Sequence, residues 1–268
     1  IKFGAFEYLS KPFDLEKVLQ IVKAALDLPK TVNKNDYKNK GISIIKSNFD
    51  LIGSSLPMQD IFSSISKLIG NNLSVLITGE AGTGKKLVAK TIHNLTNNNK
   101  NFFIINLANP NFNFIEKKLS SMLLKNSTIY FESIDEMIIE SQLKLLEFLR
   151  LFYDKKENNI RLIVSSKNNI PKLIQKGLFR EDLYYYLNII SIFIPPLKDR
   201  KEDIKELVLN FLESNKYKKL PLKEYEESSF DELKNYNWPG NIKELENFVK
   251  RIAILYPEPV IRDESIKK

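Results

Sequence analysis

Short, mostly apolar runs alternate with longer stretches whose apolar residues fall at helical spacing through the middle of the chain. Residues 75–78, 102–107, 128–131, 161–164 and 189–194 are the short runs. Near-continuous hydrophobicity over so few residues predicts strands buried on both faces. The alternation runs from Asp50 to about Pro195 and predicts an α/β domain over 49–195, a parallel sheet with helices on both faces. After Pro195-Pro196 only helical periodicity remains, which predicts a small helical lid over 196–268. In that lid Asn241, after Pro239-Gly240 and three residues before Glu244, predicts a helix start with a capping arrangement. Leu245, Phe248, Val249 and Ile252 form the expected buried face of that helix, with Lys243 pointing elsewhere. Upstream, residues 4–13 read as turn, short strand and Lys-Pro turn. A helix follows over about 14–26, on Val18, Leu19, Val22, Ala25 and Leu26. These elements are too few to close a core, and 29–48, rich in Lys and Asn, reads as a polar linker.

The chemistry concentrates in one octapeptide, Gly79-Glu80-Ala81-Gly82-Thr83-Gly84-Lys85-Lys86. It follows a predicted strand and opens a predicted helix. Glycines there let backbone N–H groups crowd around phosphate oxygens, and Lys85 can reach the terminal phosphates. The helix N-terminus adds its partial positive charge. The bland alternative is a glycine-rich turn without a ligand, and the strand–loop–helix frame argues against it. A nucleotide is therefore expected at the carboxyl ends of the strands. In the standard loop a Ser or Thr hydroxyl that holds magnesium comes last, and Lys86 stands in that place.

Composition narrows the rest. The chain has 268 residues, enough for one large domain with a small appendage, and no Cys, which excludes disulfides and thiolate chemistry. His93 is the only histidine, so a His-rich metal site is excluded and a packing or surface role is expected. No apolar run approaches a membrane span and no signal peptide is visible, so a cytoplasmic protein without membrane contact is expected. The net charge of +8 comes from scattered lysines among many asparagines and carries little functional weight.

Several further segments together resemble the NtrC family of bacterial enhancer-binding regulators, AAA+ proteins that remodel sigma-54 RNA polymerase. Asp50-Leu51-Ile52-Gly53-Ser54 with Met58 is similar to the family's adenine-side segment. Gly177-Leu178-Phe179-Arg180-Glu181-Asp182-Leu183-Tyr184-Tyr185-Tyr186-Leu187-Asn188 and Pro195-Pro196-Leu197-Lys198-Asp199-Arg200 carry the likeness further. Trp238-Pro239-Gly240-Asn241-Ile242-Lys243-Glu244-Leu245-Glu246-Asn247 completes it, in the family's order. The likeness covers nearly the whole chain and makes residues 1–28 resemble the last strand and helix of a response-regulator receiver. It implies an AAA+ fold, ATP held by Ile52, Gly53 and the 79–86 loop, and a ring of identical subunits.

The resemblance also locates departures. The family's second phosphate-site strand ends in Asp-Glu, where the Asp helps hold magnesium and the Glu positions the attacking water. Glu132-Ser133 takes that place here when Met137, Gln142, Lys144, Leu145 and Leu146 are kept in register. Glu132 remains a candidate magnesium ligand, but Ser133 is no general base without an activating partner. Asp135-Glu136 is the competing assignment. The family's Thr-Asn sensor pair falls on Ser166-Lys167, and the lid arginine on Lys243. Of two arginines offered to a neighbouring subunit, Arg180 is retained and Tyr186 replaces the other. Between Asn106 and Glu132 there is no Gly-Ala-Phe-Thr-Gly-Ala loop of the kind that grips the sigma factor. The receiver-like piece includes Lys11 but no acceptor aspartate, so phosphorylation is not expected. No helix-turn-helix precedes Lys268, so no direct DNA-binding element is expected. The expectation is a nucleotide-binding module with poor hydrolysis. The alternatives are an active ATPase of the same fold or an eroded remnant of a split gene.

Overall fold

The computed structural model describes residues 51–97, 101–108, 116, 117, 119, 127–152, 160–213, 223–256 and 258–266. The expected receiver-like segment and linker, and most of the segment between Asn106 and Ser127, lie outside the described residues.

Helix α1 (Leu56–Ser66) precedes strand β1 (Val75–Thr78), and α2 (Lys85–Asn97) follows it. Next come β2 (Asn101–Asn106), β3 (Ser127–Glu132), a 3-10 turn (Ile134–Glu136) and α3 (Ile139–Phe152). Then β4 (Arg161–Ser166), α4 (Ile170–Gln175), α5 (Glu181–Leu187) and β5 (Ile190–Phe193) close the α/β part. The five strands form one parallel sheet ordered β2-β3-β4-β1-β5. Leu162, Ile163 and Val164 of β4 are all inaccessible to solvent, as expected for a strand covered on both faces. One core cluster joins Leu76, Phe131 and Val164 of the sheet to Leu145 and Leu149 of α3 and Leu183 of α5. His93 of α2 is buried beside the Phe102 ring, with Nδ1 2.9 Å from the Thr128 hydroxyl. It has a packing role.

The ends of β3 and β4 reach further than hydrophobicity alone predicts, whereas β5 is one residue shorter at each end than the expected 189–194. Ser127 and Glu132 belong to β3, opposite Asn101 and Asn106 of β2. Ser165 and Ser166 extend β4, paired with Ile77 and Thr78. The ladder bonds are made by the backbone, so polar side chains at a strand end do not stop it.

The lid starts at a 3-10 turn (Leu197–Asp199) and contains α6 (Asp203–Glu213), α7 (Glu227–Asn235), α8 (Asn241–Leu255) and α9 (Asp263–Ile266). It is not purely helical: β6 (Glu224–Tyr225) and β7 (Val260–Ile261) form a small parallel pair. Leu197, Ile204, Phe230, Trp238, Leu245 and Val249 make its core, with Ile52 and Phe248 packed at its margin. The expected cap of α8 is also corrected. Gly240 is the N-cap, its N–H donates to Glu244 Oε2 at 2.8 Å, and Asn241 bonds elsewhere. Among the described residues no helix is long and apolar enough to cross a membrane.

Candidate functional site

The 79–86 loop leaves β1 and enters α2 through three glycines at positive φ: Gly79 (155°), Gly82 (78°) and Gly84 (104°). Two of them are also needed for space. A Cβ on Gly79 would lie 2.5 Å from the Ile194 carbonyl oxygen, and one on Gly82 would lie 2.2 Å from that of Gly240. Lys85 Nζ donates to the carbonyls of Gly79 (2.6 Å) and Glu80 (2.8 Å), and the Thr83 hydroxyl donates to the Glu80 carbonyl at 2.8 Å. Burial pushes the Lys85 ammonium below the usual lysine range, while Asp135, and after it Glu132, pull it back up. Lys86 is exposed on the first turn of α2.

Two acids therefore face the loop lysine. Glu132 ends β3, and Ser133 after it takes a left-handed backbone, φ 60° and ψ 49°. That conformation costs a non-glycine residue roughly 1–2 kcal/mol. The turn sends Asp135 toward the end of β4. Asp135 accepts from Asn168 Nδ2 (2.6 Å), Asn168 N (3.1 Å) and Lys167 N (3.3 Å). Lys167 Nζ pairs with Glu136 Oε1 at 2.6 Å, and the Ser166 hydroxyl donates to the Asn168 carbonyl at 2.7 Å. The structure thus brings Lys85, Glu132, Asp135 and Lys167 into one electrostatic neighbourhood. Among the described residues no group of three or more acidic or imidazole side chains is arranged to hold a metal.

The other expected residues sit apart in their contacts. Arg180 forks onto Asp182, with Nε to Oδ1 at 3.0 Å and Nη2 to Oδ2 at 2.8 Å. The wholly buried Gln142 accepts the Arg180 N–H at 2.8 Å and donates to the carbonyls of Met137 and Leu178, which fixes the approach to α5. Tyr186 is half-buried against the main core. Lys243 is exposed and reaches Glu246 at 3.1 Å.

Residues that sequence reasoning did not single out tie the lid to this site. Asp203 is fully buried at the start of α6. Its carboxylate accepts the N–H groups of Ser54 and Ser55 and the Ser55 hydroxyl, each at 2.8 Å. Gly53 packs so closely there that a Cβ would meet Met58 Cγ at 2.7 Å and Asp203 Oδ2 at 2.9 Å. Arg200, also buried, donates to the Thr83 carbonyl at 3.0 Å and touches Met58 Sδ at 2.9 Å. Burial lowers its pKa and Asp203 opposes that. The sequence signal was an acid three residues after an arginine where an amphipathic helix begins, a pattern that exposed helix starts share.

A family model described as a sigma-54 interaction domain matches residues 52–197, and one described as an AAA+ ATPase lid domain matches 198–268. The chain is 35% identical over 290 residues to the DNA-binding transcriptional regulator NtrC of Azospirillum brasilense, covering 96% of this chain and 58% of that protein. It superimposes on NtrX from Brucella abortus, crystallised in complex with ATP, with a TM-score of 0.71 and 26% identity. That likeness covers 98% of this chain and 65% of NtrX. The RuvB Holliday junction branch migration motor of Thermotoga maritima shares the fold alone, with a TM-score of 0.58, 15% identity and coverage of 81% and 68%. The chain spans about three fifths of the length of the curated relatives it matches.

Proposed function

The chain belongs to the sigma-54 interaction family of AAA+ domains, and from that premise we propose that it is the ATP-binding module of an NtrC-type transcription regulator that hydrolyses ATP poorly. The observation that carries this is an intact phosphate loop beside a serine where the family has its catalytic acid. Gly79, Gly82 and Gly84 hold the backbone turn that phosphate binding needs, with Lys85 at the helix start. The ATP complex of NtrX, similar along nearly the whole chain, supports nucleotide as the ligand. Glu80, Ala81 and Thr83 complete the cradle, and Ile52 and Gly53 border it on the side that Asp203 holds.

Turnover is a different matter. Proton-transfer assistance contributes about 10²–10⁴ in rate, and an arginine finger about 10³–10⁵. Ser133 supplies no base, and Tyr186, packed on the core, supplies no guanidinium. Arg180 keeps the charge of one finger, and Lys243 keeps charge without the planar fork. Magnesium finds a reduced ligand set: Glu132 would hold it against the phosphates, and Lys86 offers no oxygen. The short stretch between Asn106 and Glu132 lacks the sigma-gripping motif, so polymerase remodelling is not expected. Self-association into a ring in the cytoplasm completes the reading.

A fluorescent ATP analogue should bind saturably while phosphate release stays near background at every protein concentration. Absence of saturable binding would refute the proposal. A second reading, an active ATPase using Asp135-Glu136, draws support from Asp135, which acts on Lys85 more strongly than Glu132 does. Turnover of about 1 s⁻¹ that Asp135→Asn abolishes would select it.

A further inference from the structure

Asn241 opens α8 with its side chain inaccessible to solvent and its backbone left-handed, at φ 55°. Asparagine is among the few residues that tolerate this conformation. Its amide oxygen accepts the Leu197 N–H at 2.7 Å, and its Nδ2 donates to Glu80 Oε2 at 3.1 Å and to the Ala81 carbonyl at 2.9 Å. Those partners fix the amide's orientation, because Leu197 N only donates and the Ala81 carbonyl only accepts. The backbones beside it pack closely, since Gly82 leaves no room for a Cβ against the Gly240 carbonyl. One side chain thus joins the phosphate loop, the turn entering the lid and the first turn of α8. Lys243, two residues on, keeps its ammonium on Glu246 at the surface.

We propose that Asn241 is a positioning residue that carries the state of the phosphate loop to the lid through the Glu80 carboxylate and the Ala81 carbonyl. An anion gathered by the loop's N–H groups fixes the peptide planes of Ala81 and Gly82. The carbonyl that Asn241 holds turns with them, and α8 follows because Asn241 is its first residue. This rests on the nucleotide-binding reading above. Trp238, the only tryptophan, reports on the lid: it is buried in the lid core and its Nε1 donates to the Leu233 carbonyl at 2.7 Å.

The test uses the full chain. A labelled ATP analogue reads binding at the loop, and Trp238 emission during titration with unlabelled ATP reads the lid. In the unmutated protein both should saturate at the same ATP concentration. Asn241→Asp keeps the acceptor for Leu197 N and the tolerance of positive φ, but sets a carboxylate against Glu80. It should weaken binding about tenfold, the loss of one charge-assisted hydrogen bond, and abolish the Trp238 response even at saturation. Glu80→Gln added to it supplies an amide donor to the new carboxylate and should recover binding in part, while the Ala81 carbonyl still faces an acceptor and the Trp238 response stays lost. Unchanged affinity with a full Trp238 response in Asn241→Asp overturns the proposal. So does a full Trp238 response restored by Glu80→Gln, because the Ala81 carbonyl would then have no part in the coupling. Absence of analogue binding to the unmutated protein refutes the nucleotide reading instead. The joint is then read in the free protein by thermal midpoints. Recovery of the Asn241→Asp midpoint by Glu80→Gln supports the joint, and strictly additive shifts overturn it.

Discussion

Replacing Asp203 with alanine should loosen the lid from the nucleotide-side segment before it unfolds the sheet. The carboxylate is fully buried and holds three donors, the Ser54 and Ser55 N–H groups and the Ser55 hydroxyl, each at 2.8 Å. Each hydrogen bond to a charged group contributes about 1.5–3 kcal/mol, but the three share one carboxylate and do not add. Alanine also leaves the buried Arg200, whose Nε has no partner, without the carboxylate that opposes its desolvation. Leaving a buried donor unsatisfied costs about 1–3 kcal/mol, and with the Ser55 N–H and hydroxyl both left so the expected loss is about 2–5 kcal/mol. Urea unfolding followed by Trp238 emission and by circular dichroism separates lid from sheet, because Trp238 and Ile204 share the lid core. The Trp238 transition of Asp203→Ala should move well below the dichroism transition. A loss under about 0.5 kcal/mol, within the spread of ordinary surface substitutions, would refute the reasoning, because the buried Ser55 N–H and hydroxyl both lose their acceptor in this variant.

Lys85→Ala should weaken binding of the ATP analogue by about 1.5–3 kcal/mol, measured by fluorescence titration. Affinity should also fall as pH rises through a Lys85 pKa held by burial below the usual 10.5, and Lys85→Arg should flatten that dependence. Stability responds with the opposite sign: the unfolded chain then binds more protons than the folded one, so this group's contribution rises with pH up to the unfolded value. Gly82→Ala should cost more stability than Gly84→Ala in thermal melts, since the first Cβ meets the Gly240 carbonyl at 2.2 Å and the second meets only Ile242 Cδ1 at 3.7 Å. Glu132→Asp, Ser133→Glu and Tyr186→Arg together, with Lys86→Glu if needed, should restore phosphate release that grows with protein concentration, as the proposed ring requires if the arginine acts on a neighbour's site. The repaired protein should still fail to open sigma-54 promoters without an inserted loop.

The sheet was legible because strands buried on both faces must be apolar almost throughout, as Leu162-Ile163-Val164 are. The phosphate loop was legible for a backbone reason: positive φ and close approach demand glycine, so the conformation is written into residue type. The ends of β3 and β4 were not, because Glu132 and Ser166 have polar side chains while their backbones stay paired in the sheet. The β6–β7 pair was hidden because Glu224 meets Val260 across a long span of sequence, with no local pattern to betray it. Asn241 was misread for a related reason. Its spacing to Glu244 satisfies a local capping pattern, yet its side chain serves Leu197 and Glu80, far away in the chain. Arg200 and Asp203 look like solvated charges at a helix start, and only tertiary packing reveals their burial.

The residues assigned to binding and those assigned to the reaction differ in what they hold together. Gly82, Asn241, Arg200 and Asp203 each hold two segments together, so a change at any of them disturbs the lid as well as the ligand. Neither Ser133 nor Lys243 carries a side-chain hydrogen bond from one segment to another. Ser133 donates no cap to the turn it begins, and Lys243 pairs only with a neighbour on its own helix. Apart from β-branched residues and proline at the left-handed Ser133, substitution there changes chemistry without opening the fold. A domain of this architecture can therefore lose hydrolysis while stability alone preserves its nucleotide cradle. Binding and hydrolysis then respond differently to mutation: the cradle should be intolerant and the reactive positions permissive. A stability scan in which Ser133 and Lys243 tolerate substitution while Gly82, Asn241 and Asp203 do not is the pattern this division requires.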